Sequence, residues 1–293
     1  MKTTRRDFLK ASSVALGVAA LLGTLGGWKN SVEKTLKSFG FQVWTIREKL
    51  FEDFAGTLKM MAGLGYKEME MCSPLGYSDA GFAPLHQMRG AEMRTIIEDA
   101  GLVCRSSHYN LGELRESLDD RIEWSHQMGI TQMMLASFWL PKESSSIDDY
   151  RRAADELNII AEKTKAAGIQ MGFHNHHMEF EKRGNALIYD ALLDQLDPDL
   201  VKMQFQVAVV NIGYKAADYF RKHPGRFISA HLADWSKEKD SQVPIGQGIV
   251  DWKEFFEAAK IGGVKNFYVE MAPEMFKDSA EFLSRLQIPE LKG

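Results

Sequence analysis

Only two cysteines, Cys72 and Cys104, occur in 293 residues. That excludes a disulfide-stapled scaffold, and no Cys-x-x-Cys or Cys/His spacing offers a structural zinc site. Both read as small buried apolar residues. Charge of one sign is also lacking, since 36 Lys and Arg against 40 Asp and Glu leave a formal net charge of −4. Without clustered cations there is no electrostatic footprint for nucleic acid or anionic lipid. No Pro- or Ser-rich linker and no shift in composition marks a second domain. No Gly-x-Gly-x-x-Gly follows the first expected strand, which argues against an open dinucleotide-binding sheet. What is present, 45% hydrophobic and 26% charged residues, suits one large globular core.

The first 30 residues differ from the rest. Arg5-Arg6 lead into an apolar run, Ala11 to Leu22, that is apolar on every side and too short and Gly/Ala-rich for a comfortable membrane span. The pattern predicts a twin-arginine export signal over residues 1–30. It implies the export machinery as a partner and a periplasmic protein, or one tethered by an uncleaved signal.

From about residue 38 a local pattern repeats: an amphipathic helix, a Gly at its end, then a short apolar run. Gly65, Gly101, Gly129, Gly168 and Gly263 occupy that position, where a helix needs a left-handed C′ residue before a short loop to a strand. Strands are predicted at 40–46, 66–72, 102–108, 131–138, 169–176, 201–208, 226–233 and 266–271, each followed by a helix. Eight βα units over about 255 residues match the size of a single-domain (β/α)8 TIM barrel, placed here at 38–290.

Side-chain parity supports closure, because a barrel strand turns alternate residues to the helices and to the lumen. Met171 and Phe173 fall on one face of strand five against Gln170, Gly172, His174 and His176. Strand six sets Met203 and Phe205 against Gln204 and Gln206. Ile228, Ala230 and Leu232 oppose Ser229 and His231 in strand seven, and Phe267 and Val269 oppose Tyr268 and Glu270 in strand eight. The inward polar residues gather at the carboxyl ends, the rim where such barrels build active sites. That rim collects Gln42, Trp44, Glu70, His108, His174, His176, Glu179, Gln206, His231 and Glu270. Converging imidazoles and carboxylates are the inventory of a divalent-metal site with an acid/base pair. A lone core histidine would be explained by a hydrogen bond, but so many titratable groups at one height are costly to bury unless a metal or substrate uses them.

Several other residues have plainer readings. Asp251 is expected to cap the helix starting at Trp252. Gly246 and Gly248 suit a mobile active-site loop or backbone amides offered to an anion. Met60, Met61, Met133 and Met134 are expected as core filler.

The segments Phe41-Gln42-Val43-Trp44, Phe173-His174-Asn175-His176-His177-Met178-Glu179-Phe180, His231-Leu232-Ala233-Asp234, Gly246-Gln247-Gly248-Ile249-Val250-Asp251-Trp252 and Phe267-Tyr268-Val269-Glu270 resemble the xylose isomerase-like TIM-barrel family of sugar phosphate isomerases/epimerases, which also contains the endonuclease IV type. The resemblance implies one divalent ion (Mn, Zn, Co or Mg) held by two Glu, one Asp and one His, with two carboxylates doubling as acid and base. Carried over, the metal set is Glu179, Gln206, His231 and Glu270, with Glu179 and Glu270 as acid/base and His108, His176, Trp44 and Glu70 toward the substrate. Some members place the first Glu on the strand itself, where this chain has His174. Gln206 stands where the pattern has Asp, and Val209 where it has Trp, so one ligand charge is missing.

The implied activity is isomerisation or epimerisation of a sugar or sugar-like polyol through an enediolate. Export argues for an unphosphorylated one. Elimination on a 3-keto-glycoside uses the same first step, and Gln206 keeps open a non-catalytic sugar-binding barrel. A nuclease would need a basic groove that the charge balance does not supply. The oligomeric state, a homo-oligomer included, is left open by the sequence.

Overall fold

The structure is a computed structural model that describes residues 33–36, 38–141 and 145–289. The expected export segment, residues 1–30, lies outside the described residues. Eight parallel strands close into a barrel: β1 Gly40–Gln42, β2 Glu68–Cys72, β3 Val103–Tyr109, β4 Gln132–Leu135, β5 Gln170–His174, β6 Val201–Gln206, β7 Phe227–Leu232 and β8 Asn266–Val269. β8 pairs with β1 through Tyr268–Gly40 and Val269–Phe41, which completes the ring. The helices are α1 Arg47–Glu52, α2 Phe54–Gly63, α3 Gly90–Asp99, α4 Leu111–Glu116, α5 Leu118–Met128, α6 Ile147–Ala166, α7 Ile188–Gln195, α8 Ala216–Lys222, α9 Trp252–Gly262 and α10 Phe276–Arg285. A short antiparallel pair, Glu33–Thr35 with Gln287–Pro289, ties the two ends of the barrel chain together.

The Gly-punctuated pattern predicts these elements because each Gly ends a helix where a side chain would be strained. Gly129 (φ 76°) caps α5 and Gly263 (φ 86°) caps α9. Asp251 caps α9 through the Glu254 amide at 2.9 Å, as expected. Outward-facing aromatics of β6 to β8 pack against α8 and α9, with Phe220–Phe227 ring centroids 4.8 Å apart and Phe256–Phe267 4.9 Å. Each fully buried phenylalanine of this layer contributes about 2–3 kcal/mol.

Apart from β3, which has the expected length, the strands are shorter than the sequence predicts, chiefly at their carboxyl ends. The backbone after Gln42 and after His174 turns into short 3-10 helices at Trp44–Ile46 and His177–Phe180. The consequence is that His176 lies beyond β5 rather than on its inward face. A register shift between β6 and β7 at Phe227/Ser229 also alters the parity. Phe227, not Ile228, occupies the helix-facing place, while Ser229 still points inward to Gln204 (2.9 Å) and His231 follows it. Met61, Met133 and Met134 are buried, but Met60 is 44% exposed on α2 and is not core filler. Cys72 and Cys104 are free and buried.

The lumen is packed in polar layers rather than hollow. At the amino ends, Glu68 accepts from Ser38 Oγ (2.8 Å) and Asn266 Nδ2 (2.9 Å), and Gln132 donates to Asn266 (2.8 Å). Above, Met134 fills the space that Gly172 leaves, and a Cβ on Gly172 would come within 2.3 Å of its sulfur.

The loops after β2 and β3 are locked by Glu113. Its carboxylate accepts from the Asn110 amide (3.0 Å) and Ser73 Oγ (2.7 Å), closing a capping box on α4. Burial pushes the Glu113 carboxyl up to about 7. Because the folded-state value lies above the ordinary one, the stabilisation from its bound proton is complete below about pH 4.5 and is lost as the pH rises through about 7. Glu113→Gln should therefore raise the melting temperature relative to wild type at pH 8 but not at pH 5. Equal effects at both pH values, measured by thermal denaturation, would show that the carboxyl is ionised in the fold throughout.

Candidate active site

A cavity of about 270 Å³ opens at the carboxyl ends of the strands. Its walls carry three aromatic rings, Trp44 after β1, Tyr77 after β2 and Trp139 after β4, and its floor includes His108, His174, His176 and Glu270. No lysine or arginine is among the described residues that line it. The nearby Arg47 guanidinium lies 4.6 Å over the Trp44 ring and donates to the Trp44 carbonyl. Trp139 is 57% exposed in a left-handed conformation (φ 49°), with its ring 5.5 Å from that of His176. A non-glycine residue held there stores strain of the kind that gathers at functional sites.

Below the cavity, Glu70 of β2 is the hub. Ser106 Oγ (2.6 Å) and Gln204 Nε2 (2.7 Å) donate to one of its oxygens. The other lies 3.1 Å from His108 Nε2 and in hydrogen-bond contact with His231 Nε2. His108 Nε2 also meets Gln204 Oε1 at 2.8 Å. On its far side, His231 Nδ1 lies 3.0 Å from Glu270 Oε2. Burial alone would lower the His231 imidazolium, but Glu70 and Glu270 on either side hold it up to about 10. Burial opposes both carboxylates as well. The imidazoles of His108 and His231 nevertheless keep Glu70, and His231 keeps Glu270, below the ordinary carboxylate range. For His174 and His176 burial prevails, over the Gln204 side chain at the first and the Glu270 carboxylate at the second. Burial pulls His174 well below the ordinary imidazole value and His176 down to about 4.

Of the residues singled out from sequence, Trp44, Glu70, His108, His176, His231 and Glu270 meet in or under this cavity. Glu179 does not join them. The 3-10 turn after β5 carries it back under the β4 loop, where it accepts from Ser137 Oγ (3.0 Å) and the His176 amide (2.7 Å). Burial there pushes its carboxyl up to about 7. Gln206 reaches Glu270, but through its NH2 group (2.6 Å), while its carbonyl accepts from the Ala208 amide (3.2 Å). An amide nitrogen offers no lone pair to a cation, and turning the carboxamide over would break both bonds. His174 occupies the space that Glu179 was expected to fill, with its ring centroid 4.4 Å from that of His231.

Tyr77 and Trp139 were missed in the sequence. Tyr77 lies in a Pro-Leu-Gly-Tyr turn with no polar signal, and Trp139 follows apolar residues that read as a longer fourth strand. Gly246 and Gly248 do offer amides to an anion, but the anion is the chain's own Asp234, whose Oδ2 accepts from both (3.0 and 3.2 Å) and from Trp252 Nε1 (2.9 Å).

Residues 58–286 match the family model described as xylose isomerase-like TIM barrel. The chain belongs to that family. Among curated proteins none matches the sequence. The fold is similar to the crystal structure of a sugar phosphate isomerase/epimerase from Parabacteroides distasonis, at 23% identity and TM-score 0.71 over 84% of this chain and 93% of that one. A xylose isomerase-like barrel protein from Mycobacterium smegmatis in complex with magnesium shares 14% identity and TM-score 0.63 over 85% and 95%. D-psicose 3-epimerase from Clostridium cellulolyticum, solved with D-tagatose, shares 15% identity and TM-score 0.58 over 83% and 89%. At these identities the likeness concerns the fold.

In this xylose isomerase-like barrel the donor set fits a metal. One ring nitrogen from each of His108, His174 and His231 lies within 4.8 Å of the others, and His174 Nδ1 is buried with no partner in the protein. Gln206→Asp would set a second carboxylate beside Glu270. Expected results are a lower melting temperature in chelator and a divalent-ion affinity tighter by about 1–3 kcal/mol, since a charge-assisted contact outweighs a neutral one. Weaker ion binding, measured by calorimetric titration, would show that the amide is required.

Proposed function

We propose that the protein is a divalent-metal-dependent isomerase or epimerase of an unphosphorylated sugar or sugar-like polyol. The observation that carries this reading is the pairing of His231 with Glu270 at the floor of an aromatic-walled cavity with no lysine or arginine among the described residues that line it. Aromatic faces suit the C–H faces of a sugar, and a phosphate would meet the Glu270 carboxylate at the floor.

When bound, the metal supplies electrophilic polarisation of the substrate carbonyl and adjacent hydroxyl, which acidifies the intervening C–H. Glu270, ionised and partly open to the cavity, is placed to take that proton and leave an enediolate. His176 faces the same space with a buried Nδ1 that has no partner in the protein, and it is the group we assign to orient the substrate, while the proton held on Glu270 is returned to the enediolate. Glu179 contributes through the His176 amide, as a positioning residue. His108 and Trp44 complete the floor and wall on which the sugar lies, and Glu70 supports His108 from below.

Incubation with unphosphorylated ketohexoses in D2O should place deuterium on the carbon next to the carbonyl, read by NMR. Glu270→Gln should slow exchange by about 10²–10⁴-fold. Gln206 favours the second reading, a non-catalytic binding barrel. Saturable sugar binding with no exchange on any substrate of the panel would establish that reading.

Export by the twin-arginine route forms part of the proposal, resting on Arg5-Arg6 and the apolar run behind them. Changing both arginines to lysine should retain the protein in the cytoplasm on fractionation, and unchanged localisation would refute the route.

A further inference from the structure

Relative to the pattern its sequence resembles, the chain has Gln206 in place of the strand-six Asp, and Glu179, carried over as the first Glu, is turned to Ser137 and the His176 amide, which leaves His174 at the rim. The imidazoles around His231 are what the fold sets against that loss. His108 from β3 and His231 from β7 reach across the lumen and stack with ring centroids 5.2 Å apart and planes 6° from parallel. His174 from β5 stands 5.0 Å from one ring and 4.4 Å from the other.

The Nε2 atoms of His108 and His231 are both directed at one oxygen of Glu70. A metal-bound histidine characteristically donates its other ring N–H to a carboxylate, which fixes the tautomer and sharpens the free nitrogen as a ligand. Here a single buried carboxylate does this for two histidines at once. The nitrogen left to each is Nδ1, and that of His231 already lies 3.0 Å from Glu270 Oε2.

We propose that the ion is held by His108, His174, His231 and Glu270, with Glu70 as the positioning residue beneath, and that this three-nitrogen, one-oxygen set selects a zinc- or cobalt-class ion over magnesium. The inference rests on the reading of the barrel as a metal-dependent enzyme and specifies the ion and its ligands. Two ligands of one tetrahedral zinc ion stand about 3.4 Å apart for bonds of about 2.0–2.1 Å. One ring nitrogen from each of the three histidines lies within 4.8 Å of the others, so the cluster is close to the size that a single ion spans. Imidazole nitrogen favours zinc and cobalt, whereas magnesium demands hard oxygen donors and retains its waters. Gln206, with its NH2 turned to Glu270, lies outside the set.

X-ray absorption of the zinc-loaded wild-type protein tests the ligand set directly, and needs no variant to fold. Three imidazoles per zinc are expected, and one imidazole with two or more carboxylates would overturn the proposal. Chelator-competition titrations should give zinc an advantage over magnesium of about 10³-fold or more. His108→Gln and His174→Gln should each weaken zinc by about 10²-fold and Glu70→Gln by about 10–10²-fold, with Gln206→Ala within about 3-fold of wild type. A loss in Gln206→Ala larger than in His108→Gln, equal affinity for magnesium and zinc, or no bound ion would each refute it. Deuterium exchange stands apart from these readouts. Exchange supported by a carboxylate-bound ion would sink the ligand assignment and leave the enzyme reading intact.

Discussion

The contact on which the rest depends is the imidazole of His231 held between Glu70 and Glu270 inside the barrel. Burying two carboxylates and an imidazolium costs several kcal/mol per ion, and the mutual attraction repays it only where geometry is good and the remaining lone pairs are satisfied. The lumen meets that condition on one side. Glu70 is saturated by Ser106, Gln204, His108 and His231, and Gln204 is itself held by Ser229. Above His231 the satisfaction stops, with unpartnered nitrogens on His174 and His176 and a partly open Glu270. The boundary between the satisfied layer and the unsatisfied one is the floor of the cavity, and chemistry belongs on its upper side.

This division explains why the barrel closes where it does. β2, β3, β6 and β7 contribute the inward groups of the saturated layer, and all four must hold register for Glu70 to meet partners from the opposite wall. Register shifts occur at Met69/Glu70 against β3 and at Phe227/Ser229 against β6. Each shift sits just below a residue of this network. They let Glu70 pair with Ser106 and Ser229 reach Gln204 while Cys104, Met69 and Phe227 remain in the apolar layers. Shifts of this kind re-aim side chains, and here they align the polar layer.

Much of this was legible from sequence. The Gly after each helix and the alternation in strands give eight βα units, and the inward parity of His174, Gln204, Gln206 and His231 places them in the lumen without any contact being known. What could not be read was where each strand ends, because termination depends on loops packing above the sheet. For His176 and Glu179 a difference of two residues decided the outcome. Continued strand would have kept His176 on the inward face and turned Glu179 to the outer one, whereas the 3-10 turn brings Glu179 beneath Ser137. The orientation of Gln206's amide was likewise unreadable, since it is set by Ala208 on one side and Glu270 on the other. Tyr77 and Trp139 were hidden for the opposite reason, being apolar residues at loop positions where pattern carries little information.

The amide at 206 and the turning away of Glu179 gain meaning together. Between them they leave the upper layer two carboxylates short of the set that the family resemblance implies, and a hard dication held by oxygen would be weakened on both counts. Glu70 does not replace them directly, because both its oxygens are occupied below. It acts through the histidines, since a carboxylate accepting from imidazole N–H passes part of its charge to the opposite nitrogen. The lost oxygen donors are thus answered by polarised nitrogen donors, one layer of the barrel supplying charge to the next. A site built in this way has exchanged the hardness of its ligands rather than surrendered its cation, and that is why a neutral Gln206 is compatible with a metal-binding barrel.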